Sequence, residues 1–186
     1  MGGSMNITGR AVSNARSLVI LRGLACLSLF AVIGAPSLSA QAQVLMQPNV
    51  SLAQAMKIVD AVIARCNRPG DLVTVTIAVV DRAGLPVMQV KGDTATTFSW
   101  ELAYRKAYTA LSVRRTSLEW RNMTAGESEL SGQRMLSNLI PLGGGAPIMM
   151  GDQAIGAVGV SGAQGGQPAD SACAEMGAAT IADELK

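Results

Sequence analysis

Histidine is absent from all 186 residues. That excludes Ser-His-Asp triads and their cysteine variants, and it excludes histidine-rich zinc sites. Excess positive charge is lacking as well. The formal net charge is +2, and three of the arginines (Arg10, Arg16 and Arg22) precede an apolar run from Leu24 to Ala35. That run of about a dozen residues is too short to cross a bilayer as a helix. With the small residues and Ala40-Gln41-Ala42 that follow, it reads as a secretory signal peptide over residues 1–42. Residues 43–186 then keep twelve Lys and Arg against thirteen acids, so no basic patch argues for nucleic acid. The expected location is periplasmic or secreted.

Cysteine is nearly missing too. Cys26 falls in the signal, which leaves Cys66 and Cys173. In an exported chain two cysteines are a candidate disulfide, closing a loop of about a hundred residues worth roughly 4–5 kcal/mol on the chain-entropy model. Two buried free thiols are the other reading. No internal repeat and no low-complexity segment interrupts residues 43–186, which suit a single domain.

Within that domain, Ser51 is a plausible N-cap for a helix from Leu52 to Cys66. Its residues Leu52, Ala55, Met56, Val59, Val62 and Ile63 share a face. Val73 to Val80 reads as a strand, Asp81-Arg82-Ala83-Gly84 as a turn, and Leu85 to Lys91 as a returning strand whose Pro86 suits an edge. A helix follows from about Ala95 to Val113. On it Trp100, Tyr104, Ala107, Tyr108 and Leu111 share a face, and Arg114-Arg115 lie where cations suit the helix dipole. Thr116-Ser117 caps a shorter helix to about Met123, and Glu129 to Asn138 reads as another short one. Then comes a glycine-rich loop, Gly143 to Gly145. It opens a hairpin: strand Pro147 to Met150, turn Gly151-Asp152, strand Ala154 to Val160. Gly156 and Gly159 inside that strand mark a bulge or a close approach. Asp170 or Ser171 starts a last helix. Strands that come in antiparallel pairs between helices give an α+β class: one antiparallel sheet built from two hairpins, with helices packed mainly on one face.

These residues resemble the GlcG/HbpS haem-binding family, which includes the C-terminal domain of PduO-type proteins. The resemblance rests on the Val79-Val80-Asp81-x-x-Gly84 turn, the Lys106-Ala107-x-Thr109-Ala110 helix and the Gly144-Gly145-x-Pro147-Ile148 entry. It rests also on the strand from Gly151 through Ile155-Gly156-Ala157-Val158-Gly159-Val160-Ser161-Gly162, and on Asp170, Ala174 and Gly177. It covers nearly all of residues 50–186. It implies a small α+β domain that forms homo-oligomers, binds haem in some members, and in certain exported members partners a membrane sensor protein. In a chain without histidine, the iron ligand has to be Tyr, Met, Cys, Lys or a hydroxyl.

Tyr104 and Tyr108, one turn apart, offer phenolates to the iron, with Trp100 beside them; the same spacing describes a helix burying its aromatics. Arg105 and Lys106 can meet carboxylates of haem or of a small acid, Lys106 being the lysine of the family motif. Gly144 and Gly145 can present backbone N–H groups to an anion, although the loop has no P-loop lysine. Met149 and Met150 point to opposite faces, one of them into the core. No carboxylate pair is spaced for acid–base work, and Ser161 has no base. The leading expectation is an exported, oligomeric, non-catalytic module for haem or a similar small acidic ligand. The alternatives are an enzyme acting on a small hydroxy or oxo acid through Lys106, and a scaffold or accessory partner of a membrane sensor.

Overall fold

In the computed structural model, residues 44–67 and 72–186 are described; the expected signal peptide lies outside them. Helix α1 runs Leu52–Cys66, and its start is fixed by a reciprocal box. Ser51 Oγ accepts from Gln54 N, and Gln54 Oε1 accepts from Ser51 N. The cap thus satisfies amides that the first helical turn leaves open. Strands β1 (Thr76–Asp81) and β2 (Pro86–Lys91) form the first hairpin, and Pro86 opens β2 on the sheet edge, where a missing N–H costs no ladder bond. Helix α2 (Ser99–Val113) and helix α3 (Ser117–Met123, capped by Thr116) follow. Strands β3 (Gly145–Met150) and β4 (Gln153–Ser161) make the second hairpin, and helix α4 (Gln167–Ala179) closes the fold.

The strand order is β2-β1-β4-β3, antiparallel throughout, with the hairpins joined where β1 pairs with β4. The α+β class and the two-hairpin antiparallel sheet are therefore as the sequence leads one to expect. Both faces of the sheet carry helix. Ile77, Val79, Val158 and Val160 pack with Ile58, Val59 and Val62 of α1 and with Ala174 of α4. On the opposite face Val80 and Ala157 pack with Ala107 and Ala110 of α2. A strand buried on both sides has no solvent-facing alternate positions, which explains why β1 is buried continuously from Thr76 to Val80. Cys66 and Cys173 form a disulfide, tying the end of α1 to α4 across 107 residues of chain.

Four expectations shift. Helix α2 begins at Ser99, not near Ala95, because residues 92–99 turn first: Ala95 N donates to Gly92 O and Ser99 N to Thr96 O. Its sheet-facing stripe is Ala103, Lys106, Ala107 and Ala110, while Trp100 is 47% exposed. The reason is proximity. A Cβ on Gly159 would overlap the backbone of Ala103 and Ala107, and one on Gly145 would overlap the Lys106 carbonyl. So close a helix–sheet approach admits small side chains and excludes an indole. Met149 and Met150 are both exposed, after a shift of register between Ile148 and Met149. The Glu129–Asn138 segment forms only a 3-10 turn, Ser131–Met135.

Gly159→Ala is expected to destabilise the protein by about 3 kcal/mol or more, since backbone atoms have to move. Gly132→Ala, whose added Cβ meets nothing within 4 Å, should stay within about 0.5 kcal/mol of the parent. Urea unfolding of both variants checks the contrast.

Candidate functional site

Three of the residues singled out in the sequence meet at one joint. Lys106 projects from the sheet-facing side of α2, and its Nζ donates to Asp170 Oδ2 at 2.7 Å and to Val160 O at 3.1 Å. Asp170 sits in the first turn of α4, and its other oxygen accepts from Ala163 N at 2.8 Å. Both side chains are buried, 3% and 7% exposed. Burial pulls the Lys106 ammonium below the ordinary lysine range, and the charge and hydrogen bond of Asp170 pull it back in part.

Gly144 and Gly145 pack directly on this pair. A Cβ on Gly144 would lie 2.9 Å from Lys106 Cδ and 2.8 Å from Asp170 Cβ. Two of the loop's three amides are answered within the chain: Gly145 N donates to Ser117 Oγ and Gly143 N to Gln167 Oε1, each at 2.8 Å. Lys106, Gly144 and Gly145 therefore form one packed junction of α2, β3, β4 and α4. Ser171 Oγ, buried at the same junction against Gly143, has no hydrogen-bond partner among the described residues.

Arg105 faces elsewhere. Its guanidinium reaches Glu101 Oε1 at 3.1 Å and donates to Leu139 O at 2.8 Å, so it fastens the segment after α3 onto α2. Tyr104 and Tyr108 have ring centroids 6.0 Å apart. Tyr104 packs beside Val80 and Ala107. The Tyr108 ring lies over Gly84, whose absent Cβ makes the room: one added there would sit 2.8 Å from the ring. Gly84 also has φ +78°, so the turn needs glycine twice over. Asp81 completes that turn by accepting from Ala83 N and Leu85 N. Among the described residues neither tyrosine hydroxyl has a hydrogen-bond partner.

Tyr108 lines an open cleft of about 290 Å³ with Arg82, Ala83, Leu111, Arg114 and Ala154. The two arginines escaped the sequence reading. Arg82 read as a turn residue and Arg114 as a helix-end cation, and nothing in either local pattern brings the β1–β2 turn to the end of α2. Arg82 Nη1 donates to Gln153 Oε1 at 3.1 Å. Arg114 is the C-cap of α2, in the left-handed conformation at φ 53°, where glycine is the usual occupant. Among the described residues no group of three or more Cys, Asp and Glu is placed to hold a metal ion.

The family model described as "Haem degrading protein HbpS-like" matches residues 50–179. The chain belongs to this HbpS-like family. An uncharacterized 15.0 kDa protein from the dhaT-dhaS intergenic region of Citrobacter freundii is 32% identical over 116 residues, 61% of this chain and 80% of the relative. The crystal structure of HbpS superposes with a TM-score of 0.68 at 28% identity, covering 75% of this chain and 94% of HbpS. A crystal structure of a PduOC–heme complex shares the fold, with a TM-score of 0.63 at 24% identity, covering 71% and 94%.

Gly84→Ala carries two penalties, the positive φ and the encounter with the Tyr108 ring. Gly126→Ala, at φ +62° with nothing within 4 Å of the added Cβ, carries only the first, about 1–2 kcal/mol. Gly84→Ala is expected to lose measurably more stability than Gly126→Ala and to alter the near-ultraviolet tyrosine signal, which Gly126→Ala should leave alone.

Proposed function

We propose that this chain is an exported, homo-oligomeric module that binds haem, or a planar acidic molecule like it, without catalysing its breakdown. The observation that carries the reading is Tyr108. Its hydroxyl is free of partners among the described residues, and its ring lines the cleft beside the apolar Ala83, Leu111 and Ala154. A phenolate oxygen is a known protein ligand for haem iron, so the donor set suits the group even though histidine is missing. Bound haem would supply an iron centre able to take an oxygen ligand. Tyr108 would hold the iron, and Ala83, Leu111 and Ala154 would pack against the group. At about 290 Å³ the cleft lies at the small end of ligand pockets, so the ligand would extend beyond it across the surface or against a second subunit.

Oligomerisation is supported by exposed apolar side chains. Met135 and Leu136 are 87% and 58% exposed, and Leu136, Leu130 and Met123 line a groove of about 390 Å³ beside Trp120. Patches of this kind mark association surfaces. A membrane sensor is the partner suggested by the resemblance, and export rests on the signal-like sequence of residues 1–42. The enzyme reading asks Lys106 to act on a substrate. Here its Nζ is enclosed by Asp170 and Val160 O, so that reading is not adopted.

Haemin titrated into the protein and followed in the Soret band is expected to saturate near one equivalent. Tyr108→Phe should abolish or strongly shift that band, and Tyr104→Phe should leave it in place. A saturable band kept by Tyr108→Phe would move the ligand to Tyr104, Met or Lys, since Cys66 and Cys173 are bridged. A non-saturating drift like that of free haemin would overturn haem binding.

A further inference from the structure

Acidic partners account for several of the cations on this chain: Lys57 pairs with Glu184, Arg105 with Glu101, Lys106 with Asp170, and Lys186 with Asp183. Arg121 and Arg134 are held by Gln167 Oε1, Thr124 Oγ1 and the Arg121 carbonyl. Arg82 and Arg114 line the same cleft, one from the β1–β2 turn and one from the end of α2, and among the described residues neither makes an ion pair, Arg82 donating only to the neutral Gln153 Oε1. Arg114 is exposed at the cleft and Arg82 half-buried, so an anion entering from solvent can reach both residues. Arg114, moreover, holds a left-handed position that glycine would occupy with less strain. The cleft's other walls are apolar or hydroxylic: Ala83, Leu111 and Ala154, with Tyr108 and Ser112.

We propose that this cleft recognises carboxylates: Arg82 and Arg114 are the specificity-determining residues for a ligand that carries two acidic groups on an apolar body. A guanidinium fork matches a carboxylate bidentately, and such charge-assisted bonds are the strong ones. The ligand class is shared by a porphyrin dicarboxylic acid and by a small dicarboxylate. The inference takes the location of its cleft from the haem reading but does not need iron.

The test uses the whole protein and iron-free probes: protoporphyrin IX, its dimethyl ester, and glutarate. Protoporphyrin IX is expected to bind at least roughly tenfold more tightly than the dimethyl ester, the equivalent of about 1.4 kcal/mol. The double variant Arg82→Gln/Arg114→Gln should erase that preference while unfolding near the parent temperature. Arg114→Gly should weaken the preference while raising the unfolding temperature, which a purely structural arginine would not do. Equal binding of acid and ester, or a preference that survives in the double variant, overturns the proposal and leaves haem binding standing. If neither porphyrin binds, the haem reading fails, and glutarate decides. Stabilisation of the parent and not of the double variant sustains the carboxylate site; stabilisation of both or neither overturns it.

Discussion

A lysine ammonium taken out of water has to find an anion, and in this fold that requirement ties four segments together. Lys106 comes from α2, Asp170 from the first turn of α4, the Val160 carbonyl from β4, and the Ala163 amide from the loop after it. Each would be costly to leave alone: an unpaired buried charge is penalised by several kcal/mol, far more than an exposed ion pair gains. The pair is therefore better understood as a device that fixes where α2 and α4 lie than as a large net source of stability. The downward pull of burial on the Lys106 ammonium outweighs the attraction of Asp170, as expected when desolvation dominates.

The small residues around the pair follow from it. To bring Nζ to Asp170, α2 has to lie almost on the sheet, which leaves no room for a Cβ at Gly145 or Gly159 and only methyl groups at Ala103, Ala107 and Ala110. The aromatic residues of α2 are pushed to the flank, where Tyr108 comes to rest on Gly84 and beside the cleft. Lys106 and Arg105 are consumed by the chain's own acceptors. Arg82 and Arg114, in the cleft, make no ion pair among the described residues, and Arg82 donates to the neutral Gln153 Oε1. One helix thus carries a structural cation on its buried side and ends in an exposed cation at its C-cap.

Local chemistry was the legible part of the sequence. The Ser51 cap, the Pro86 edge, the Asp81–Gly84 turn and the Gly151-Asp152 hairpin are each decided by residues a few positions apart, and each stands where the pattern puts it. The glycines of β4 announced a close approach, and Gly159 makes one with α2. What the pattern hid is long-range. Asp170 lies 64 residues from Lys106, so the lysine of the motif looked free for a ligand. Trp100 was placed on the buried face by helical period alone, which counts apolar side chains but not the space available to them. The cleft needs a turn and a helix end to meet, and no local spacing encodes that meeting.

A double-mutant cycle on Lys106→Met and Asp170→Asn, read by urea unfolding, tests the central claim most directly. Each single substitution strands a buried charge and should cost about 3–5 kcal/mol. The double variant strands none, so its cost should fall at least about 2 kcal/mol below the sum of the two. Additive losses would show that the two side chains do not hold each other, and that Lys106 is free for another role.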